Sequence, residues 1–301
     1  MNKNNSVYIT VNLMKYYLSV LAIFKNEKHI MKEWLLHHMK EGVEHFYLID
    51  NDSDSSYDCT DILNEFGGNK ITKFNLPNKH EQANIYRYIV TNYIVPTNET
   101  EWLMIIDLDE FMYATSLNST VVQEIRKLEQ ETPDIGAVRI VWKMFGSNGH
   151  IQQPRSVVKH FTKRKNYTVP IKEEIKNIIK PRLTYGFGIH EIQLYPPYIR
   201  VPETHDFSQG LQCEEMITES KIQLNHYVTQ SLEFYENVKM TRGAADVQVN
   251  YRTLELFHNY QTILNDTFDD SLYQKHRELY DSIDNDEQGY IKNSSCNFVF
   301  K

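Results

Sequence analysis

Apolar residues fall along this chain in short runs, and several of the runs end on polar clusters. Tyr17–Phe24 is apolar and β-branched over the length of a strand and stops at Lys25-Asn26-Glu27. Lys28–Glu41 then spaces Ile30, Met31, Trp34, Leu35 and Met39 along one face of a helix, with Gly42 placed to close it. Val43–Ile49 reads as a second strand and ends at Asp50-Asn51-Asp52-Ser53. A short helix over Thr60–Phe66 stops at Gly67-Gly68, and Ile71–Asn75 reads as a third strand. His80–Val95 carries a helical stripe of Ala83, Tyr86, Ile89, Val90 and Tyr93, and Pro96 is expected to stop it. Leu103–Ile106 is an unbroken apolar run, the pattern of a strand covered on both faces. Three carboxylates follow abruptly: Asp107, Asp109 and Glu110.

This alternation of strand and helix predicts a doubly wound α/β sheet. The clusters at 25–27, 50–53 and 107–110 then meet at one sheet edge, the edge where open α/β sheets bind ligands. In an extended chain, residues i and i+2 point the same way. Asp107 and Asp109 are therefore expected to project together while Leu108 turns back to the core. Two carboxylates held close repel, and a hard divalent cation relieves that repulsion; an acidic surface turn is the plainer alternative. Further along, Ser119–Gln130 predicts a surface helix and Gly136–Trp142 a strand. Residues 159–182, rich in Lys and Arg, form either a solvated face or a contact for an anion such as a diphosphate. Residues 183–230 read as loops and short strands, among them Ile222–Val228. From Ser231 the chain turns helical, with a long helix over Val247–Leu264. The expected organisation is a domain over 1–230 with a helical extension, 231–301, packed on it.

Composition narrows the function classes. With 301 residues and 41% hydrophobic content there is material for one large core. The net charge of −8 argues against nucleic acid as a partner. Three far-spaced cysteines, Cys59, Cys213 and Cys296, suggest neither a zinc site nor a disulfide framework. The first residues are too polar and interrupted for a signal segment or membrane anchor, and a glycan on the Asn51-Asp52-Ser53 sequon would block the proposed site. The expectation is a cytoplasmic protein with no membrane span.

The ordered series of motifs resembles glycosyltransferase family 92 and its family-2-like relatives. The resemblance rests on Lys25-Asn26-Glu27, Glu33-Trp34-Leu35, His38, Gly42 to Asp50, Asp107 to Phe111, Trp142 to His150 (WKMFGSNGH), Lys176 to Pro181, Asn225-His226-Tyr227, Ser231, Lys239 and Arg242-Gly243. It spans roughly residues 18–245. It implies a GT-A fold, that is, a Rossmann-like mixed sheet with flanking helices. It further implies an inverting sugar transfer from a nucleotide-diphosphate sugar, a UDP-sugar by the family pattern, to a hydroxyl of a glycan or other acceptor.

Roles for individual residues follow from that chemistry. A diphosphate leaves readily only when its developing charge is neutralised, which Mn2+ or Mg2+ does as a Lewis acid. Asp109 is the first choice as metal ligand. Asp107 is assigned to the metal, the ribose or both. The resemblance and the strand end at His226 make that histidine the third metal ligand. Asn26, Glu27, Asp50, Asp52, Gln82 and Lys180 are expected around the donor, with Arg182 a further phosphate candidate. Trp142 and Phe145 suit either sugar stacking or core packing, and His150 is a candidate for the acceptor side. An inverting transfer needs a general base, for which His190 and Glu191 are the candidates. Two other enzyme classes fit less well. A sugar nucleotidyltransferase would carry a glycine-rich phosphate loop, and Tyr17–Glu27 has no glycine. A D-x-D phosphohydrolase would carry its motif on an early strand. A glycan- or nucleotide-binding protein without turnover is the non-enzymatic alternative.

Overall fold

The computed structural model describes residues 14–167, 171–172, 175–188, 190–202, 211–212, 214–243 and 248–286. Cys213, Cys296 and Val247 lie outside these residues, and the helix expected over Val247–Leu264 begins only at Leu254, capped by Thr253, with residues 248–253 non-helical.

The apolar runs become a nine-stranded mixed sheet. Strands β1 (Tyr16–Phe24), β2 (His45–Asp50), β3 (Ile71–Asn75) and β4 (Thr100–Ile105) are mutually parallel, with β1 between β2 and β4. The sheet continues through β5 (Glu110–Ala114), β6 (Ile135–Met144), β7 (Ile175–Ile179) and β8 (Ile222–His226), in the spatial order β3-β2-β1-β4-β7-β6-β8-β5. Ile199–Pro202 adds a ninth strand beside the start of β6. The pairings of β7 with β4 and β6, and of β5 with β8, are antiparallel.

The lack of alternation in β1 and β4 has a direct cause. Leu18, Val20, Ala22 and Phe24 enter the core on one face with Trp102 and Met104. Leu21 and Ile23 enter a second core on the other face with Leu103 and Ile105. Helix α1 (Lys28–Lys40) covers the first face through Ile30, Met31, Trp34 and Leu35. Helix α2 (Gln82–Ile89) covers the second through Ile85, Tyr86 and Ile89. Helix α3 (Val121–Glu131) begins with a capping box between Thr120 and Gln123 and buries Val121 and Ile125 in the first core.

Two features differ from the expectations. Pro96 does not stop the second long helix, which widens into a π turn over Val90–Ile94 and runs on to Thr97 before Asn98 turns left-handed. The wider turn relieves the clash that a proline ring makes with the carbonyl four residues earlier. The D-x-D segment is a turn, not extended strand: β4 ends at Ile105, Glu110 N–H closes back on the Asp107 carbonyl at 3.1 Å, and β5 starts at Glu110. Leu108 still points into the core, fully buried. The polar C-terminal segment, with α4 (Leu254–Leu264) and α5 (Arg277–Asp284), is anchored from below. Leu272, Leu279 and Tyr280 join the first core, and the Tyr280 hydroxyl meets His37 Nδ1 at 2.8 Å. No helix among the described residues is long and apolar enough to cross a membrane.

Candidate functional site

The parallel strands end at one edge of the sheet, and the antiparallel strands bring their first residues to the same edge. Above it lies a cavity of about 640 Å³. The ends of β1, β2, β4, β6 and β8 supply one wall through Asn26, Glu27, Asn51, Asp107, Asp109, Trp142 and His226. The C-terminal segment completes the lining with Lys239, Arg242, Arg252 and Tyr251.

The 107–110 turn sits at the base of this cavity, and it is pinned from several sides. Trp34 Nε1–H donates to the Asp107 and Glu110 carbonyls at 3.2 and 2.9 Å. Tyr227 N–H donates to the Asp109 carbonyl at 2.8 Å. The side chains are held as firmly. Asp107 Oδ1 accepts from Gln82 Nε2 at 2.8 Å and Tyr86 OH at 3.2 Å, and Oδ2 pairs with Lys176 Nζ at 3.0 Å. Lys176 also lies 3.2 Å from Glu110 Oε2, which in turn accepts from the Asp107 N–H at 2.9 Å. Asp109 Oδ2 pairs with Lys239 Nζ at 2.6 Å, and its Oδ1 stands 3.5 Å from His226 Nε2.

These neighbours set the ionisation of the group. Burial pushes the Asp109 carboxyl up, but Lys239 and His226 outweigh it and hold the group well below the usual range. Asp107 is lowered in the same way, burial being outweighed by Lys176. Glu110 goes the other way: burial prevails over the Lys176 attraction and raises it to about 7. The His226 imidazole is raised because Asp109 and Glu110 overcome its burial.

Of the residues expected from sequence, Asn26, Glu27, Gln82, Asp107, Asp109, His190 and His226 line the cavity. Asn26 takes a left-handed conformation just past β1 and clamps the next loop: its side chain donates to Asp54 Oδ2 and accepts from Asp54 N–H, both at 2.8 Å. Glu27 pairs with Arg242 at 2.7 Å. His190 Nδ1 meets the Ile175 carbonyl at 2.9 Å, and its ring stands edge-on to Trp142.

Several of the expected residues lie elsewhere. Asp50 is the last residue of β2, where its carboxylate accepts from Ser53 N–H and pairs with Lys73 of β3 at 3.0 Å. Asn51, one residue on, takes the place at the cavity. Asp52 is exposed and stands 3.7 Å from Lys25. Lys180 pairs with Glu129 at 2.7 Å and Glu101 at 3.4 Å, and packs on Trp102. Because β7 runs antiparallel to β4, Lys176 is at the cavity edge and Lys180 about 13 Å further down the strand. Glu191 has a 78% exposed side chain turned towards Arg200. Phe145 is core, packed on Tyr227, Arg182 pairs with Glu101, and His150 bonds the His160 carbonyl. The sequence reading gave no role to Lys176, Glu110, Lys239 or Arg242. Lys176, Lys239 and Arg242 stood inside quoted motifs, and their buried pairing with carboxylates was the missing information.

Does the site suit a divalent cation? Among the described residues no group of three or more His, Cys, Asp and Glu side chains is arranged to hold one. Both Asp107 oxygens accept hydrogen bonds from protein groups. Asp109 Oδ1 and His226 Nε2 face each other beyond hydrogen-bonding comfort, and the buried atoms Glu110 Oε1 and His226 Nδ1 have no hydrogen-bond partner. A carboxylate oxygen and an imidazole nitrogen at this spacing fit a cation whose remaining positions a diphosphate and water would fill.

Comparison with known proteins was made with this geometry in hand. Residues 15–267 match the profile of glycosyltransferase family 92. A glycosyltransferase family 92 protein of Oryza sativa subsp. japonica is 23% identical over 223 residues, covering 73% of this chain and 34% of that protein. One of Ricinus communis is 24% identical over 206 residues, covering 64% of this chain and 34% of that protein. The chain spans about a third of the length of these curated relatives. Among solved structures, a mannosyltransferase from Pyrobaculum calidifontis in complex with GDP-Man and Mn2+ is similar with a TM-score of 0.35. It is 14% identical, covering 56% of this chain and 46% of that one.

Proposed function

The chain belongs to glycosyltransferase family 92, and on that premise we propose that the cavity binds a nucleotide-diphosphate sugar together with a divalent cation. The sugar is transferred with inversion to a hydroxyl of a glycan or other acceptor. The observation that carries this reading is the 107–110 turn: ionised, buried carboxylates at a sheet edge, in a cavity that Lys239, Arg242 and Arg252 also line. A UDP-sugar and Mn2+ (or Mg2+) are the donor and cation we favour, on the family pattern.

Asp109 and His226 would hold the cation, which when bound offsets the charge that develops on the departing diphosphate. Asp107 acts as a hydrogen-bonded anchor: its two oxygens fix Gln82, Tyr86 and Lys176 at the cavity floor. Asn26, Glu27 and Gln82 shape the donor side of the cavity, and Arg242, tied to Glu27, presents positive charge to the phosphates.

His190 is our choice of general base. A carbonyl only accepts, so the bond to Ile175 fixes the imidazole proton on Nδ1 and leaves Nε2 as the acceptor nitrogen. Burial and the nearby Lys176 charge lower its pKa, so the ring is neutral and basic near pH 7. Nε2 takes the acceptor hydroxyl proton as that oxygen attacks the anomeric carbon, and the bond from that carbon to the diphosphate oxygen breaks on the opposite side. The test is incubation with Mn2+ and a panel of nucleotide sugars, followed by measurement of released nucleotide diphosphate. Release from one donor, lost in His190→Ala, is expected; a chain that releases nothing from any donor is a binding protein instead.

A further inference from the structure

His226 and Glu110 are direct cross-strand partners in the antiparallel pair of β8 and β5, so their side chains share a face of the sheet. Each carries a buried polar atom without a hydrogen-bond partner among the described residues, His226 Nδ1 and Glu110 Oε1, and these two atoms stand 3.9 Å apart. The other Glu110 oxygen is not free to serve a ligand, since it accepts from the Asp107 N–H and pairs with Lys176. Trp142 packs edge-on to the His226 ring with centroids 4.6 Å apart, which limits how the imidazole turns.

A neutral imidazole has one N–H to place. On Nε2 it would face Asp109 Oδ1 at 3.5 Å, but above pH 7, where Glu110 is ionised, it would leave the Nδ1 lone pair buried against a carboxylate oxygen, two acceptors face to face. On Nδ1 it is donated to Glu110 Oε1, both orphaned atoms are satisfied by a shift of under about 1 Å, and the Nε2 lone pair is turned towards Asp109 and the cavity. A buried polar atom without a partner costs about 1–3 kcal/mol, whereas Asp109 and His226 Nε2 border the cavity, where water can serve them, so the second arrangement is preferred once Glu110 is ionised.

We propose that Glu110 is a positioning residue that fixes His226 as the Nδ1–H tautomer, and that Lys176 holds Glu110 in place for that task. This rests on the reading of His226 as a cation ligand, and assigns to the conspicuous third acid of the turn a task other than metal binding. An outer carboxylate that accepts the remote N–H of a ligand histidine typically contributes 10–100-fold to metal affinity.

The experiment has two independent arms. In the first, the imidazole nitrogens of the full chain are followed by 15N NMR without metal, at the alkaline end of the His226 titration where the ring carries one proton, with His226→Gln to assign the signal. The proposal expects the proton on Nδ1 in the wild type and its redistribution towards Nε2 in Glu110→Leu. A proton on Nε2 in the wild type overturns it, whatever the protein binds. In the second arm, Mn2+ affinity is measured by calorimetry with UDP present. Glu110→Leu and Lys176→Met should each weaken Mn2+ by about 10–100-fold; in Glu110→Leu metal-free UDP affinity should stay within twofold, and Glu110→Gln, which retains an acceptor oxygen, should recover much of the loss. Equal losses with and without metal show a packing role only. A wild type that binds neither Mn2+ nor UDP defeats the reading of the site and leaves the tautomer arm to decide the role of Glu110.

Discussion

Glu33, on the inner face of α1, is fully buried and accepts three hydrogen bonds, from Ser156 Oγ at 2.7 Å, Val157 N–H at 2.8 Å and Val158 N–H at 3.2 Å. It caps the short helix Val157–His160 from across the core. Burial nevertheless outweighs those donors and raises its carboxyl from 4.5 to about 7. Folded protein therefore holds a proton that the unfolded chain releases in this range. The stability this lends is complete below pH 4.5 and is lost as the pH rises through about 7. At about 1.4 kcal/mol per pKa unit, the loss is about 3 kcal/mol. Glu33→Gln cannot titrate, and it pays a pH-independent cost of about 1–3 kcal/mol for one mismatched donor. Urea unfolding of both proteins between pH 4.5 and 8.5 is the assay. The wild type should lose about 3 kcal/mol relative to Glu33→Gln across that range. Parallel curves would refute the argument, because every other titrating group cancels in the difference.

The other predictions concern the supporting ion pairs. Asp269 is bound by Lys143 at 2.9 Å and Arg164 at 2.8 Å, and despite its burial these cations hold its carboxyl far below the usual range. Asp269→Asn should cost about 3–5 kcal/mol at pH 7 by leaving the buried Lys143 without its carboxylate, while Arg164 keeps Glu214. In thermal melts that cost should shrink only as the pH falls below 3.8, because a depressed carboxyl stabilises the fold above its unfolded value. Lys180→Ala should leave nucleotide affinity unchanged by calorimetry, since its partners Glu101 and Glu129 are remote from the cavity; a tenfold loss would show that the basic run does reach the donor.

How much of this was legible from sequence follows from what each signal measures. The parallel half of the sheet was readable because β1 and β4 are buried on both faces, and a strand in that position carries few polar residues. The acidic turn was readable for the same reason, as an abrupt change of polarity after β4. Strand direction was not readable. Nothing local distinguishes Lys176 from Lys180, and only the antiparallel pairing of β7 puts the first at the cavity and the second at the opposite edge. A one-residue difference at the end of β2 likewise exchanged Asp50 for Asn51, since successive side chains on a strand alternate in direction. Lys239 and Arg242 reach the cavity because a π turn over Tyr235–Lys239 sets the facing of that segment. Hydrophobic periodicity carries no information about such a turn. The Glu33-Trp34-Leu35 motif belongs to the scaffold: Glu33 caps residues 156–158, and Trp34 braces the acidic turn.

The central claim is that the acidic turn and His226 make nucleotide binding depend on a cation. Calorimetric titration of UDP into the wild type, with Mn2+ and with excess chelator, tests it most directly, alongside Asp109→Asn checked for folding by circular dichroism. Mn2+ should tighten UDP binding in the wild type by about tenfold or more, equivalent to about 1.4 kcal/mol or more, and the gain should vanish in Asp109→Asn. UDP affinity that is the same with Mn2+ and with chelator in the wild type would contradict the account.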